Sequence, residues 1–198
     1  PARNIVRALV AGTLAVTVLY LLANSAFLAA LGFDAVWLMG VWQRSPGSQK
    51  ISREHPGLQS GYEAALPGYN QEDIVGSPFA IYQYRVDPAL GGDEELAVFR
   101  ARLNELGLKL ILDFVPNHLA LDNLWLKQYP ERFVQGSPEL LKAHPDRFFT
   151  DPKNPDQIWA HAFDPFYGGW EDTIQVDFRS IKTRQAMART LMDIASRC

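Results

Sequence analysis

The apolar run Lys109-Leu110-Ile111-Leu112 empties into Asp113, and after Phe114-Val115-Pro116 come Asn117 and His118. No other stretch constrains the fold as tightly. The run is too short for a spanning helix, is rich in β-branched and Leu residues and is stopped by Pro116, so it reads as a strand buried on both faces. Asp113, Asn117 and His118 then sit at its carboxyl end, where parallel α/β folds keep their active sites.

The residues upstream supply the rest of a βαβ unit. Asp34 to Trp42 reads as a short buried strand, followed by a polar loop punctuated by Gly and Pro through Gly76. From Glu94 to Leu106 apolar residues recur at helical spacing (Leu96, Val98, Phe99, Leu103, Leu106) and stop at Gly107, the place for a left-handed helix cap. Strand, loop, helix, strand argues for an α/β fold with a parallel sheet or barrel. Residues 119–178 are rich in Pro, Asp, Gly and aromatic residues, as in a functional excursion or small subdomain. Ser180 to Ala195 reads as a helix carrying Ile181, Met187, Leu191 and Ile194.

Composition narrows the function. With 198 residues, 47% of them hydrophobic, and a net charge of -3, the chain can bury a real core. Its Lys and Arg residues are scattered among acids, without the basic stripe that nucleic acid needs, so no nucleic-acid partner is expected. Cys198 is the only cysteine, which excludes an internal disulfide and a thiolate metal cluster.

The first segment has a different texture. Ala8 to Leu31 holds no charged residue and follows Arg3 and Arg7. At about 1.5 Å per residue such a helix reaches roughly 36 Å, enough for a hydrocarbon core of about 30 Å. A membrane helix through residues 8–31 is the expectation, with a secretory signal and a buried core helix as the rivals. The order Pro-Ala-Arg-Asn-Ile-Val-Arg-Ala-Leu-Val-Ala-Gly-Thr from Pro1, continued by Val18-Leu19-Tyr20-Leu21-Leu22-Ala23-Asn24, resembles the start of one transmembrane helix of an amino-acid permease. One such helix transports nothing alone.

From about Phe33 onward the chain resembles the α-amylase family of glycoside hydrolases. Gly32-Phe33-Asp34-Ala35-Val36-Trp37-Leu38 is similar to that family's second strand. Gly76-Ser77-Pro78-Phe79-Ala80-Ile81, then Tyr84-Arg85-Val86-Asp87-Pro88 and Leu90-Gly91-Gly92, are similar to the segment leading to its second barrel helix. Asp113-Phe114-Val115-Pro116-Asn117-His118 is similar to its first conserved region. The resemblance implies a partial (β/α)8 TIM barrel with a loop-rich subdomain after the third strand. The expected layout is an apolar helix over 1–32, the amino-terminal barrel part over 33–118, the inserted subdomain over 119–178 and a truncated barrel helix over 179–198.

The same resemblance implies roles. His118 would hydrogen-bond a hydroxyl of the sugar beside the cleaved bond, and Asp113 would orient groups of the catalytic centre. Phe79 or Tyr82 would present the aromatic platform; the family commonly has Tyr there followed by an Asp-Tyr pair, whereas this chain has Phe79 and then Tyr82-Gln83-Tyr84. Trp125, Trp159, Tyr167 and Trp170 are further aromatics for a sugar groove. No cofactor is required, but in calcium-dependent members the residue matching Asn117 gives an oxygen to the ion, and Asp177 falls where a second ligand often lies.

Family members cleave α-glucosidic bonds with retention, using two carboxyl groups about 5 to 5.5 Å apart from the fourth and fifth strands. These positions fall beyond Cys198, so the fragment is expected to be inactive, with an α-glucan or α-glucoside as the whole enzyme's substrate. Two alternatives stand: a membrane-tethered, noncatalytic sugar-binding module, and an artificial permease-hydrolase chimera joined at Ala29-Ala30-Leu31-Gly32. A partial barrel would also leave strand edges unpaired.

Overall fold

A computed structural model describes residue 24 and residues 26–152, 154–164, 166 and 168–198. The strands in chain order are β1 (Ala35–Leu38), β2 (Trp42–Arg44), β3 (Ile81–Val86), β4 (Lys109–Leu112), β5 (His118–Ala120), β6 (Phe148–Asp151), β7 (Asn154–Ala160) and β8 (Thr173–Gln175). The helices are α1 (Pro46–Glu54), α2 (Gln59–Ala65), α3 (Gly92–Glu105), α4 (Leu124–Gln128), α5 (Pro138–Ala143) and α6 (Ile181–Ser196).

The βαβ unit forms. Strands β1 and β4 lie parallel, with Ala35 opposite Lys109 and Leu38 opposite Leu112. Helix α3 crosses between them, with Leu96 and Leu103 buried in the same core as Leu110 and Leu112. Asp93, Glu94 and Glu95 occupy its first turn, where the helix dipole favours negative charge. Gly107 follows it with φ 74°, as the periodicity implies. Val98 is exposed, so only part of the apolar set on this helix faces inward.

The expectation that β4 is buried on both faces does not hold. Leu110 and Leu112 are buried, but Ile111 is 49% exposed, and Trp37, its register partner, is 56% exposed. Period-2 geometry sends alternate side chains to opposite faces, and only one face is covered. The stretch from Asp34 to Trp42 is likewise two strands rather than one. The chain turns at Gly40, and β2 leaves β1 to pair antiparallel with β3.

The segment read as a loop after Trp42 holds two helices and a 3-10 turn, Pro56–Leu58. Ser45 caps α1 by accepting from Ser48 N at 2.8 Å, and Pro46 occupies the first turn, where its missing N–H costs nothing. Residues 119–178 are more ordered than their composition suggests: β5 pairs with β8 and β6 with β7, both antiparallel. Helix α6 runs one residue past the expected end at Ala195 and buries Ala186, Met187 and Ile194.

Of the apolar segment 8–31, residues 8–23 and 25 lie outside the described residues. Residues 26–30 are helical, and Leu28 and Ala29 pack against the core. This helix ends with Gly32 N donating to Ala29 O and Phe33 N to Leu28 O, each at 3.1 Å, which directs the chain into β1. Among the described residues no helix is long and apolar enough to cross a membrane.

Candidate functional site

Asp113 leaves β4 with both its side chain and its main chain engaged. Trp37 Nε1 donates to its Oδ1 at 2.8 Å, Gly40 N donates to its Oδ2, and Trp42 Nε1 donates to its carbonyl at 2.9 Å. The carboxylate therefore holds the β1–β2 turn. Gly40 adopts φ 70°, and a Cβ there would stand 2.5 Å from Pro78 Cβ. A side chain would strain the backbone and push away the loop that carries Phe79.

The next residues are clamped from the other side. The Tyr84 hydroxyl donates to Val115 O and accepts from Val115 N, both at 3.0 Å, while its ring meets Trp42 edge-on at 5.5 Å. Burial pushes the Tyr84 phenol far above its ordinary range, so it keeps the proton it donates. Register then places His118 opposite Gln175, and β8 brings residues 169–173 over the strand end.

The result is a cleft of about 830 Å³, walled by α1, α2, residues 73–79, His118 and residues 169–173. His118 is buried, with its ring 5.1 Å from that of Trp170 at 63°. Burial lowers its pKa against the opposing charge of Asp172 and a hydrogen bond to the Phe79 backbone. A neutral imidazole has one donor and one acceptor, and here the Phe79 backbone accepts from the ring while Asn117 Nδ2 lies 3.4 Å from Nδ1, so a ligand hydroxyl would exchange with one of these partners. Asp172 Oδ2 accepts from Ser48 Oγ at 2.6 Å, and Ser48 Oγ accepts from Ser77 N at 3.0 Å, so one buried serine ties α1 to two cleft walls.

The residues singled out by sequence divide. Phe79 and His118 line the cleft together. Asp113 does not line it and acts from behind as a support. Tyr82 lies in a second hollow of about 320 Å³ with Trp125 and Arg189. Trp159 is core, Trp125 lies under the Arg132 guanidinium at 4.4 Å, and Tyr167 lies outside the described residues.

Asn117 and Asp177 do not present free oxygens to a cation. Asn117 Oδ1 accepts from Gln175 Nε2 at 3.1 Å, and its carbonyl accepts from the same nitrogen at 2.8 Å. Asp177 Oδ2 is 2.6 Å from Arg179 Nη2, and the Arg179 hydrogen bonds hold its carboxyl below the usual range. Among the described residues no group of three or more His, Cys, Asp or Glu is placed to hold a metal ion. Calcium takes six to eight oxygens, of which Asn117 and Asp177 would supply at most a part.

Sequence reasoning missed Tyr84 as a clamp and the wall made by α1 and α2. The Ser45-Pro46 pair was the available signal for α1, since it joins a capping hydroxyl to a first-turn proline.

Residues 24–178 match the model of the alpha amylase catalytic domain. That match begins inside the apolar segment whose order resembles a permease helix. Maltase A1 of Drosophila melanogaster is 43% identical over 95 residues, 44% of this chain and 15% of the relative. An alpha-1,4-glucan:maltose-1-phosphate maltosyltransferase of Arcanobacterium haemolyticum is 27% identical over 141 residues, 68% of this chain and 17% of the relative. The chain thus spans no more than 17% of the length of these relatives. Among solved structures, an alpha-glucosyl transfer enzyme superposes with a TM-score of 0.62 at 18% identity, over 89% of this chain and 30% of that one. A maltogenic alpha-amylase from Thermotoga neapolitana gives 0.55 at 22% identity, over 88% and 31%. These structural likenesses establish the barrel fold, of which the described residues form a part.

Proposed function

This chain belongs to the alpha-amylase catalytic-domain family, and from that premise we propose that it is the sugar-positioning part of a glycosidase or transglycosylase acting on α-glucosidic bonds. The observation that carries the reading is His118, neutral and braced by the Trp170 edge, in one cleft with Phe79 and Asp172. In this reading His118 hydrogen-bonds a ring hydroxyl and Phe79 packs against the apolar face of the sugar. Asp113 and Tyr84 keep the loop between β4 and β5 in place. The names of the relatives point to glucans and maltose-like glucosides as the substrate class.

Bond cleavage with retention requires a nucleophile and an acid about 5 to 5.5 Å apart. Asp113 and Asp172 are held by Trp37, Gly40 and Ser48. We assign the reacting carboxylates to later barrel strands, as the family resemblance implies, and expect the 198-residue chain alone to bind a glucoside without cleaving it. The assay is turnover of maltooligosaccharides, starch, sucrose and an aryl α-glucoside by the purified chain. No turnover is expected; turnover abolished by His118→Ala would contradict the division of labour.

We assign residues 26–31 to the end of a barrel helix rather than to a membrane tether, because Leu28 and Ala29 pack on the core. Membrane fractionation decides this, since recovery in an alkali-resistant membrane pellet would favour the tether through residues 8–31.

A further inference from the structure

Helix α1 starts from Ser45-Pro46-Gly47-Ser48, and both serines are buried, at 1% and 0% exposed. A hydroxyl brings one proton and two acceptor sites, and the two serines use them on different partners. Ser45 Oγ accepts from Ser48 N at 2.8 Å and donates to Asp122 Oδ1 at 2.6 Å, while Asp122 Oδ2 accepts from Gly47 N at 2.9 Å. That set closes the helix end and places a carboxylate at the positive end of its dipole. Ser48 Oγ faces elsewhere. It donates to Asp172 Oδ2 at 2.6 Å and accepts from Ser77 N at 3.0 Å. Asp172 and Ser77 line the cleft, whereas Ser45, Ser48 and Asp122 stand behind its lining.

The two residues joined through Ser48 belong to the two segments that meet His118. Asp172 follows Trp170, whose ring lies against His118, and is fixed to the end of β5 by Leu121 N donating to its carbonyl at 3.1 Å. Ser77 precedes Phe79 and holds it, since Ser77 Oγ accepts from Phe79 N at 3.2 Å, and the Phe79 backbone accepts from the His118 ring. The Ser77 side has no slack. Gly76 adopts φ 84°, and a Cβ there would stand 2.8 Å from Gln49 N, so the chain before Ser77 is pressed onto the α1 backbone. Removing the Ser48 hydroxyl would leave a carboxylate oxygen and a backbone N–H unpaired, and each would have to shift to reach water or another partner.

We propose that Ser48 is a positioning residue of the sugar site: its hydroxyl sets the gap between the Phe79 segment and the Trp170–Asp172 segment, and with it the fit of a glucose ring against His118. This role rests on the sugar-binding reading of the cleft given above. It adds what keeps the two sides of that site in register.

The test compares the two neighbouring serines in the full 198-residue chain. Ser45→Ala and Ser48→Ala each remove a buried hydroxyl bonded to a carboxylate, so a merely structural role predicts like effects. In calorimetric titration with methyl α-glucoside, Ser48→Ala is expected to bind about tenfold more weakly, as loss of one buried hydrogen bond to a charged group implies. Ser45→Ala should stay within about twofold of the unaltered chain. Without ligand, the His118 side-chain resonances should shift in Ser48→Ala and hold their places in Ser45→Ala. Denaturant titration checks that each variant folds. If an alanine variant does not, Ser48→Cys, which fills the space with a weaker donor, replaces the first and Asp122→Asn the second, with the same order of affinities expected.

Unchanged affinity on altering Ser48, or equal weakening on altering Ser45 or Asp122, would overturn the positioning role and leave the sugar reading standing. No binding of methyl α-glucoside by the unaltered chain, or binding indifferent to His118→Ala, would overturn the sugar reading and the positioning role with it.

Discussion

The turn held by Asp113 and the cleft wall that α2 and its flanks provide use their groups in opposite ways. Around Asp113, two indole N–H groups and a backbone N–H converge on one residue, which is buried with Trp42 while Trp37 stays more than half exposed. Along the wall, the Tyr62 and Tyr69 hydroxyls bond back into the protein, and Leu58, Leu66 and Val75 face the cleft beside His55 and Asp73. The first arrangement fixes the scaffold and contributes stability. The second contributes little to stability and leaves surface available to a ligand.

Substitutions separate the two roles, and the largest effect should come from the scaffold. Trp42 is fully buried and donates to Asp113 O. Trp42→Ala should lower the unfolding free energy by about 3–5 kcal/mol in a denaturant titration. A loss near zero would break the contrast. Asp113→Ala should cost about 1–3 kcal/mol, because Gly40 N–H loses its buried acceptor. If Asp113→Ala instead left stability intact and removed only ligand binding, Asp113 would belong with the cleft.

A third check uses acid. Burial lowers the pKa of His118 and of His161, so the unfolded chain takes up protons before the folded one as pH falls. The stability due to these neutral imidazoles is complete above the unfolded value of about 6.5 and is lost as pH falls toward the lower folded values. The melting temperature should drop between pH 7.5 and 5.5, and less so in His161→Gln. At the small end, Leu66→Ser should change stability by less than about 0.5 kcal/mol, since the side chain is half exposed.

The βαβ core was legible because its signals are local. Helical spacing from Leu96 to Leu106, the cap at Gly107 and the apolar run before Asp113 each specify one element. The open face at Trp37 and Ile111 was not legible, because an apolar residue does not state whether a neighbour covers it. His118 and Phe79 could be singled out through the family resemblance. Trp170 reaches His118 only through the pairing of β5 with β8, a contact between residues about fifty positions apart. The geometry at Asn117 and Asp177 was hidden for a related reason: the donors Gln175 and Arg179 compete for their oxygens, and side-chain competition leaves no periodic trace.

The most direct measurement is an NMR titration of the full chain with phenyl α-glucoside, following the side-chain resonances of His55, His118, His144 and His161 and the indole of Trp170. Saturable shifts at His118 and Trp170, with His144 and His161 unmoved, are expected. Saturable shifts that bypass His118, or no shift at any of these positions, would contradict a sugar site in this cleft.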